Sequence, residues 1–310
     1  MLHRFESFFS VARIRVPVCA LVILAFAGCE NSESLSPQGE DLTGSDVAAV
    51  PELASATFAG GIPLGNFTQP LSEFGSTFNG AHSNTGPNAL VKELATIKAK
   101  GGKVVLALSG SPTYYLVDGH FSMTKWKARM DRYRNVNFDS YINDGTVIGH
   151  YMIDEPNDPK NWGGKAVPPS VLEEMAKYSK SRWPKMATIV RVDPKYLASN
   201  HQYLDAAWAQ YLHRRGDVTD YARTMVAEAQ RKGLQLVVGL NVLKGGNPNG
   251  TPMSSSEVEK FGSALLSSSY PCAFINWKYT STYMSSSGIR SAMSSLRRKA
   301  ENRSSKSCRA

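Results

Sequence analysis

The feature that most restricts the fold of this chain is a series of short segments, apolar at consecutive positions and separated by longer amphipathic stretches. From residue 57 onward they are Thr57 to Leu64, Lys103 to Ser109, Val147 to Ile153, Met186 to Val192, Ala206 to Tyr211, Gln235 to Val242 and Cys272 to Trp277. A strand with one face in water alternates apolar and polar residues, whereas unbroken apolar runs mark strands covered on both faces, as in a parallel sheet. The intervening stretches read as helices. Asp217 precedes apolar positions 218, 221, 222, 225, 226 and 229, and Gly233 closes that segment, which is a capped helix with one buried stripe. Ser254 with Glu257, and Ser170 with Glu173, have the spacing of capping boxes. Ile289, Ala292, Met293, Leu296 and Ala300 give a last helix its apolar face.

Repetition of strand and helix implies an α/β fold with a parallel sheet. Seven strands are visible, and a short eighth is expected near Ser76 to Gly80. About 255 residues remain once the N-terminal 52 are set aside, a length that suits one (β/α)8 TIM barrel. Gly60-Gly61-Ile62-Pro63-Leu64-Gly65 lacks the glycine spacing of a dinucleotide loop and leads into Pro and loop residues instead of a helix, which argues against a Rossmann sheet.

The N-terminus reads as an export signal. Arg4, Arg13 and Arg15 precede an apolar run from Val16 to Gly28, too short for the about 20 residues of a spanning helix. Leu24-Ala25-Phe26-Ala27-Gly28-Cys29 resembles the lipobox of bacterial lipoproteins, with Phe26 where an aliphatic residue is usual. The resemblance implies cleavage before Cys29, a lipid on that cysteine, and an extracytoplasmic protein anchored to a membrane. Residues 30 to 52 are rich in Ser, Gly, Asp and Glu and too poor in large apolar groups to fold. The expected organisation is a signal over 1–28, a tether over 29–52, a barrel over 53–302 and a basic tail over 303–310.

The formal charge of +9 raises the possibility of nucleic acid or an anionic membrane as partner; its distribution removes the first, and the basic C-terminal residues could help membrane association but are expected to be a solvated helix end. Residues 1 to 28 carry three arginines against Glu6, and residues 290 to 310 carry seven basic residues against Glu301, so the part between is close to neutral. Of four cysteines, Cys19 leaves with the signal and Cys29 carries lipid. Export permits a disulfide between the remaining pair, but Cys272 opens an apolar strand while Cys308 lies in a polar tail expected to be mobile, so they are expected to stay unbridged. His82, His120, His150, His201 and His213 show no ligand spacing, so neither a metal nor another cofactor is expected. His150 is expected to pack beneath the segment described next.

The most informative segment is Val147-Ile148-Gly149-His150-Tyr151-Met152-Ile153-Asp154-Glu155-Pro156-Asn157-Asp158. It places two carboxylates where a buried strand ends, and the C-terminal ends of barrel strands ring the active site. Pro156 stops the strand and fixes the chain direction after Glu155. Because neighbouring strand residues face opposite sides, Asp154 is expected to orient nearby groups and Glu155 to face the cleft.

Counting the short strand, Glu155 ends the fourth strand and Trp277 the eighth. This pattern resembles the (β/α)8 glycoside hydrolases, whose fourth strand ends in Asn-Glu-Pro and whose eighth ends in Trp. The resemblance implies that Glu155 is the general acid/base and that Trp277 stacks on a sugar. A glycosidic oxygen leaves only when protonated, and a carboxyl whose pKa is raised can supply that proton. The family's second glutamate, its nucleophile at the end of strand seven, is replaced here by Asn241. A two-carboxylate mechanism then needs a substitute. Asp193, after Arg191 at the end of the fifth strand, is the first choice and Asp118 the second, while Asp205 precedes its strand and belongs to the opposite rim. Further cleft candidates are Asn66, Tyr114, Tyr115, His120, Trp162, Gln210 and Tyr211. The expected partner is a carbohydrate. Three functions stay open: a glycoside hydrolase, a non-catalytic carbohydrate-binding or surface-assembly lipoprotein, and a barrel enzyme of other chemistry.

Overall fold

Segments such as Val104-Val105-Leu106 and Leu236-Val237-Val238 have no polar position to turn toward water, and each is enclosed between a barrel interior and a helical layer. The computed structural model describes residues 60–310; the expected signal, Cys29, the expected tether and the start of the Thr57 to Leu64 segment lie outside the described residues. Eight parallel strands close on themselves: β1 (Leu64–Phe67), β2 (Gly80–Ser83), β3 (Lys103–Leu106), β4 (Val147–Asp154), β5 (Thr188–Arg191), β6 (Ala206–Tyr211), β7 (Gln235–Leu240) and β8 (Ala273–Asn276). Closure is made by β1, which pairs with β2 on one side and β8 on the other. Gly65 permits it, since a Cβ there would stand 1.6 Å from the Gly80 carbonyl oxygen.

The helices are α1 (Pro87–Ala99), α2 (Met123–Asp131), α3 (Asp139–Asn143), α4 (Pro169–Arg182), α5 (Val218–Arg231), α6 (Ser255–Leu266), α7 (Ser281–Met284) and α8 (Ser287–Glu301). The fold is thus a (β/α)8 barrel, with two departures from regularity. The β1–β2 and β5–β6 connections contain 3-10 turns, Leu71–Glu73 and Pro194–Tyr196, in place of α-helices. A two-stranded ribbon, Leu116–Val117 with His120–Phe121, projects from the loop after β3.

Several sequence expectations are corrected. The first strand starts at Leu64, after Gly61 in the left-handed region and Pro63. The short strand lies at Gly80–Ser83, beyond the expected Ser76 to Gly80, because Gly-Ala-His-Ser carries no apolar run to announce it. As expected, Asp217 caps α5, and Ser254 with Glu257 forms the capping box of α6. The Ser170–Glu173 box does not form: α4 begins at Pro169, and Glu173 accepts hydrogen bonds from the backbone of Gln202 and Tyr203.

The largest correction is at the C-terminus. Cys308 is buried and bonded to Cys272, so the basic tail is stapled across the N-terminal mouth of the barrel. Cys308 joins the interior cluster with Ala187, Ala206 and Val237. Arg303 donates to the Pro271 carbonyl (3.1 Å), Lys306 to the Tyr270 carbonyl (2.8 Å), and the Ala310 amide to Asp205 (3.2 Å). Asp205 sits at this rim, where it also pairs with Lys180.

The bridge closes a loop of sequence separation 36. Reduction, or Cys308→Ser, is therefore expected to remove about 3–4 kcal/mol of stability, read as a fall in urea midpoint; indifference to reductant would rule the bridge out.

His82, inside the barrel, and His150, facing α4 with Nδ1 2.8 Å from Ser179 Oγ, are both buried. Burial pushes both imidazoles down to about 3 from 6.5. The unfolded chain therefore binds protons that the native barrel refuses, and stability present above pH 6.5 is lost as pH falls toward 3. Each histidine contributes a slope of about 1.4 kcal/mol per pH unit in that window. Urea titrations between about pH 6.5 and 4.5 should show the loss, and His150→Gln should make it shallower.

Candidate active site

Strand β4 does not end regularly. Its register against β5 shifts between Tyr151 and Asp154, and Glu155 then adopts φ 39° in the left-handed region, which non-glycine residues seldom occupy. The alternation of side chains is broken there, so Asp154 lines the same cleft as Glu155, contrary to the opposed facing expected from a regular strand. Three hydrogen bonds fix the Glu155 backbone. Its amide donates to the Arg191 carbonyl (3.0 Å), and its carbonyl accepts from the Asp158 amide (3.0 Å) and Trp162 Nε1 (2.9 Å). The carboxyl itself stays 48% exposed.

Both carboxylates meet Arg191, at the end of β5. This guanidinium is buried, donates to Asp154 Oδ1 and Gln210 Oε1, and stands 3.3 Å from Glu155 Oε1. It also lies over the rings of Trp277 (5.0 Å) and Phe67 (5.8 Å). Burial lowers its pKa, but the adjoining Tyr151, Asp154 and Glu155 outweigh that and hold it above the ordinary arginine value. Beneath lies an interior aromatic layer of Phe67, His82, Tyr151 and Trp208. Burial also pushes the Tyr151 phenol well up, and Asp154 adds to the shift.

Two clefts flank the Glu155–Arg191 pair. One, of about 360 Å³, is lined by Glu155, Asp158, Asp193, Gln210, Arg214 and Arg215, among others. The other, of about 400 Å³, is lined by Asp154, Glu155, Trp162, Asn241, Trp277 and the Leu116 loop. Asp193 is engaged, accepting from Arg215 Nη1 and from the Tyr221 hydroxyl (3.2 Å). Asn241, at the end of β7, accepts from the Lys244 amide (3.1 Å). The Trp277–Lys278 peptide is cis.

Glu155, Asp154, Asp193, Arg191, Gln210, Asn241, Trp162 and Trp277 thus border the clefts, and the remaining candidates do not. Asn66 is buried in the barrel wall, bonded to Gln69 (2.9 Å) and Asn276 (3.4 Å). Tyr211 faces the helices, its hydroxyl on the Gly216 carbonyl (2.7 Å) and its ring against Tyr221 and Phe261. Tyr115 packs under Trp162 and Phe121, and Tyr114 is exposed beneath Arg129. Asp118 lies in the turn of the ribbon and His120 in its second strand, and neither lines a cleft. Sequence reasoning missed Trp208, Arg214 and Arg215. The first had a signal, since Trp208 and Gln210 share one face of β6 by strand period. Among the described residues no group of three or more His, Cys, Asp or Glu is placed to hold a metal ion.

Fold and site together define a (β/α)8 barrel with a carboxylate- and tryptophan-lined cleft at the C-terminal rim of its strands. No protein-family model matches the sequence, and no curated protein matches it. Among solved structures, a β-glucanase from Saccharophagus degradans is similar with a TM-score of 0.56 at 9% identity, over 78% of this chain and 89% of that one. An endocellulase from Pyrococcus horikoshii in complex with cellotetraose gives 0.50 at 12% identity, over 76% and 93%. A cellulase–inhibitor complex gives 0.50 at 11%, over 76% and 92%. These carbohydrate-active enzymes share the barrel fold of this chain.

Removing Asp154 leaves the buried Arg191 charge short of its closest partner. Asp154→Ala is expected to cost about 3 kcal/mol, whereas Glu155→Gln, at an exposed carboxyl, should cost under about 1 kcal/mol. Urea denaturation of both variants checks the difference, and equal losses would contradict the arrangement.

Proposed function

We propose that this protein is a glycoside hydrolase acting on an extracytoplasmic carbohydrate, with Glu155 as general acid/base and Asp193 as the second carboxylate. The observation that carries the reading is that Glu155 and Asp193 line one cleft at the C-terminal rim of the strands. Glu155 is exposed enough to reach a glycosidic oxygen, and the clamp on its backbone keeps the carboxyl in register during proton transfer. Trp277 borders the adjoining cleft, where an indole face suits the C–H face of a sugar ring. Similarity of fold to glucan-degrading enzymes supports carbohydrate as the substrate class. On this reading the lipid on Cys29 keeps the enzyme at a membrane surface, within reach of polymeric glycans.

A second reading, carbohydrate binding without hydrolysis, is favoured by two specific observations. Asn241 stands at the end of β7, where the resembling family has its nucleophile, and Asp193 is occupied by Arg215 and Tyr221.

A hydrolysis assay over a panel of glycans, with binding measured in parallel, separates the two. If the chain hydrolyses one of them, Glu155→Gln and Asp193→Asn should each lower kcat by roughly 100-fold or more with little change in KM. The anomer first released then reports the separation of the two carboxyls, retention at about 5–5.5 Å and inversion at about 6.5–9.5 Å. Binding without turnover in the unmodified chain favours the second reading, and neither binding nor turnover sinks both.

A further inference from the structure

The C-terminal basic residues have no part in the cleft chemistry, yet the fold holds them in one place. We propose that the N-terminal face of the barrel, opposite the cleft, docks on an anionic phospholipid surface. The disulfide and the hydrogen bonds of the tail fix residues 303–310 across that face, so its cations are ordered by the fold. Lys103, Lys185, Lys306 and Arg309 line a pocket of about 320 Å³ there, with Arg298 exposed on the last turn of α8 and Arg303 at the start of the tail.

Charge complementarity selects the partner. Carboxylates at this end are already joined to cations, Asp144 to Lys98 (2.8 Å), Asp205 to Lys180 (2.5 Å) and Glu301 to Arg297 (2.7 Å). Arg303 is half-buried and donates from Nη2 to the Pro271 carbonyl, so it adds charge to the face without reaching a headgroup itself. Residues 290–310 hold most of the formal positive charge outside the signal. A fixed cationic face is attracted to anionic headgroups and is screened by salt. Its position fits as well. The described chain enters the barrel at this end, where the Ile62 amide donates to the Ala300 carbonyl (3.1 Å) at the foot of α8. The orientation that follows, cleft away from the membrane, rests on the reading of Cys29 as a lipid anchor; the charge of the face does not.

The test is lysine footprinting of the mature exported chain on vesicles of phosphatidylcholine, alone or mixed with phosphatidylglycerol. Lys185, on the proposed face, should be acylated roughly tenfold more slowly on the anionic vesicles, with high salt restoring the rate. Lys160, at the cleft rim, should be unchanged. Arg298→Glu with Arg309→Glu should abolish the protection. Equal Lys185 rates on the two vesicles, equal protection of Lys160, or the same protection by inorganic phosphate alone would each overturn the proposal. The mass of the mature N-terminus decides the anchor separately: an unlipidated chain removes the membrane orientation, while the Lys185 comparison still decides the face.

Discussion

A single buried guanidinium organises the cleft end of this barrel. Arg191 is taken out of water at the end of β5, and an isolated cation there would be prohibitively unfavourable. The neighbouring strands answer that charge: Asp154 from β4, Gln210 from β6, and the rings of Phe67 at the end of β1 and Trp277 just after β8. Groups from five strands therefore converge on one point because one charge requires it. Glu155 is the partner left half in solvent, so the interaction that settles the rim also leaves one carboxyl facing the clefts.

How much of this was legible follows from which rules the chain obeys. Strands covered on both faces are apolar without interruption, so six of the eight could be read directly, and Asp154-Glu155 stood out at the end of one; β1, Leu-Gly-Asn-Phe, and β2, Gly-Ala-His-Ser, have no such run. The facing of Asp154 could not be read, because alternation assumes a regular pleat, and a register shift and a left-handed residue lie at that point. The loop after β3 misled for a related reason. Its 3-10 turn brings Pro112, Thr113 and Leu116 to the cleft, while Tyr115 is drawn in against Trp162 and Phe121 and Tyr114 lies beneath Arg129. Tyr211 and Gln210 were both expected at the cleft, yet the period of two lets only one of them face it.

The tail was misread because composition says nothing of long-range covalent links. A Ser-, Lys- and Arg-rich segment has little to bury, so by itself it would remain in solvent. One sulfur bond to the start of β8 changes that, and the polar residues around Cys308 then find carbonyl and carboxylate partners at the barrel mouth. The same bond gives the barrel a closed lower end, with Cys308 completing an interior layer that strand residues leave unfilled.

The meeting of Ile62 with Ala300, described above as the point of entry, has a mechanical consequence. Tension on the chain ahead of β1 is delivered to the foot of α8, and from α8 through a short tail and a covalent bond to β8, the strand paired with β1. The first and last elements of the barrel are thus loaded against each other instead of being drawn apart. Strain entering there would be borne at the base of the barrel, at the end opposite Glu155.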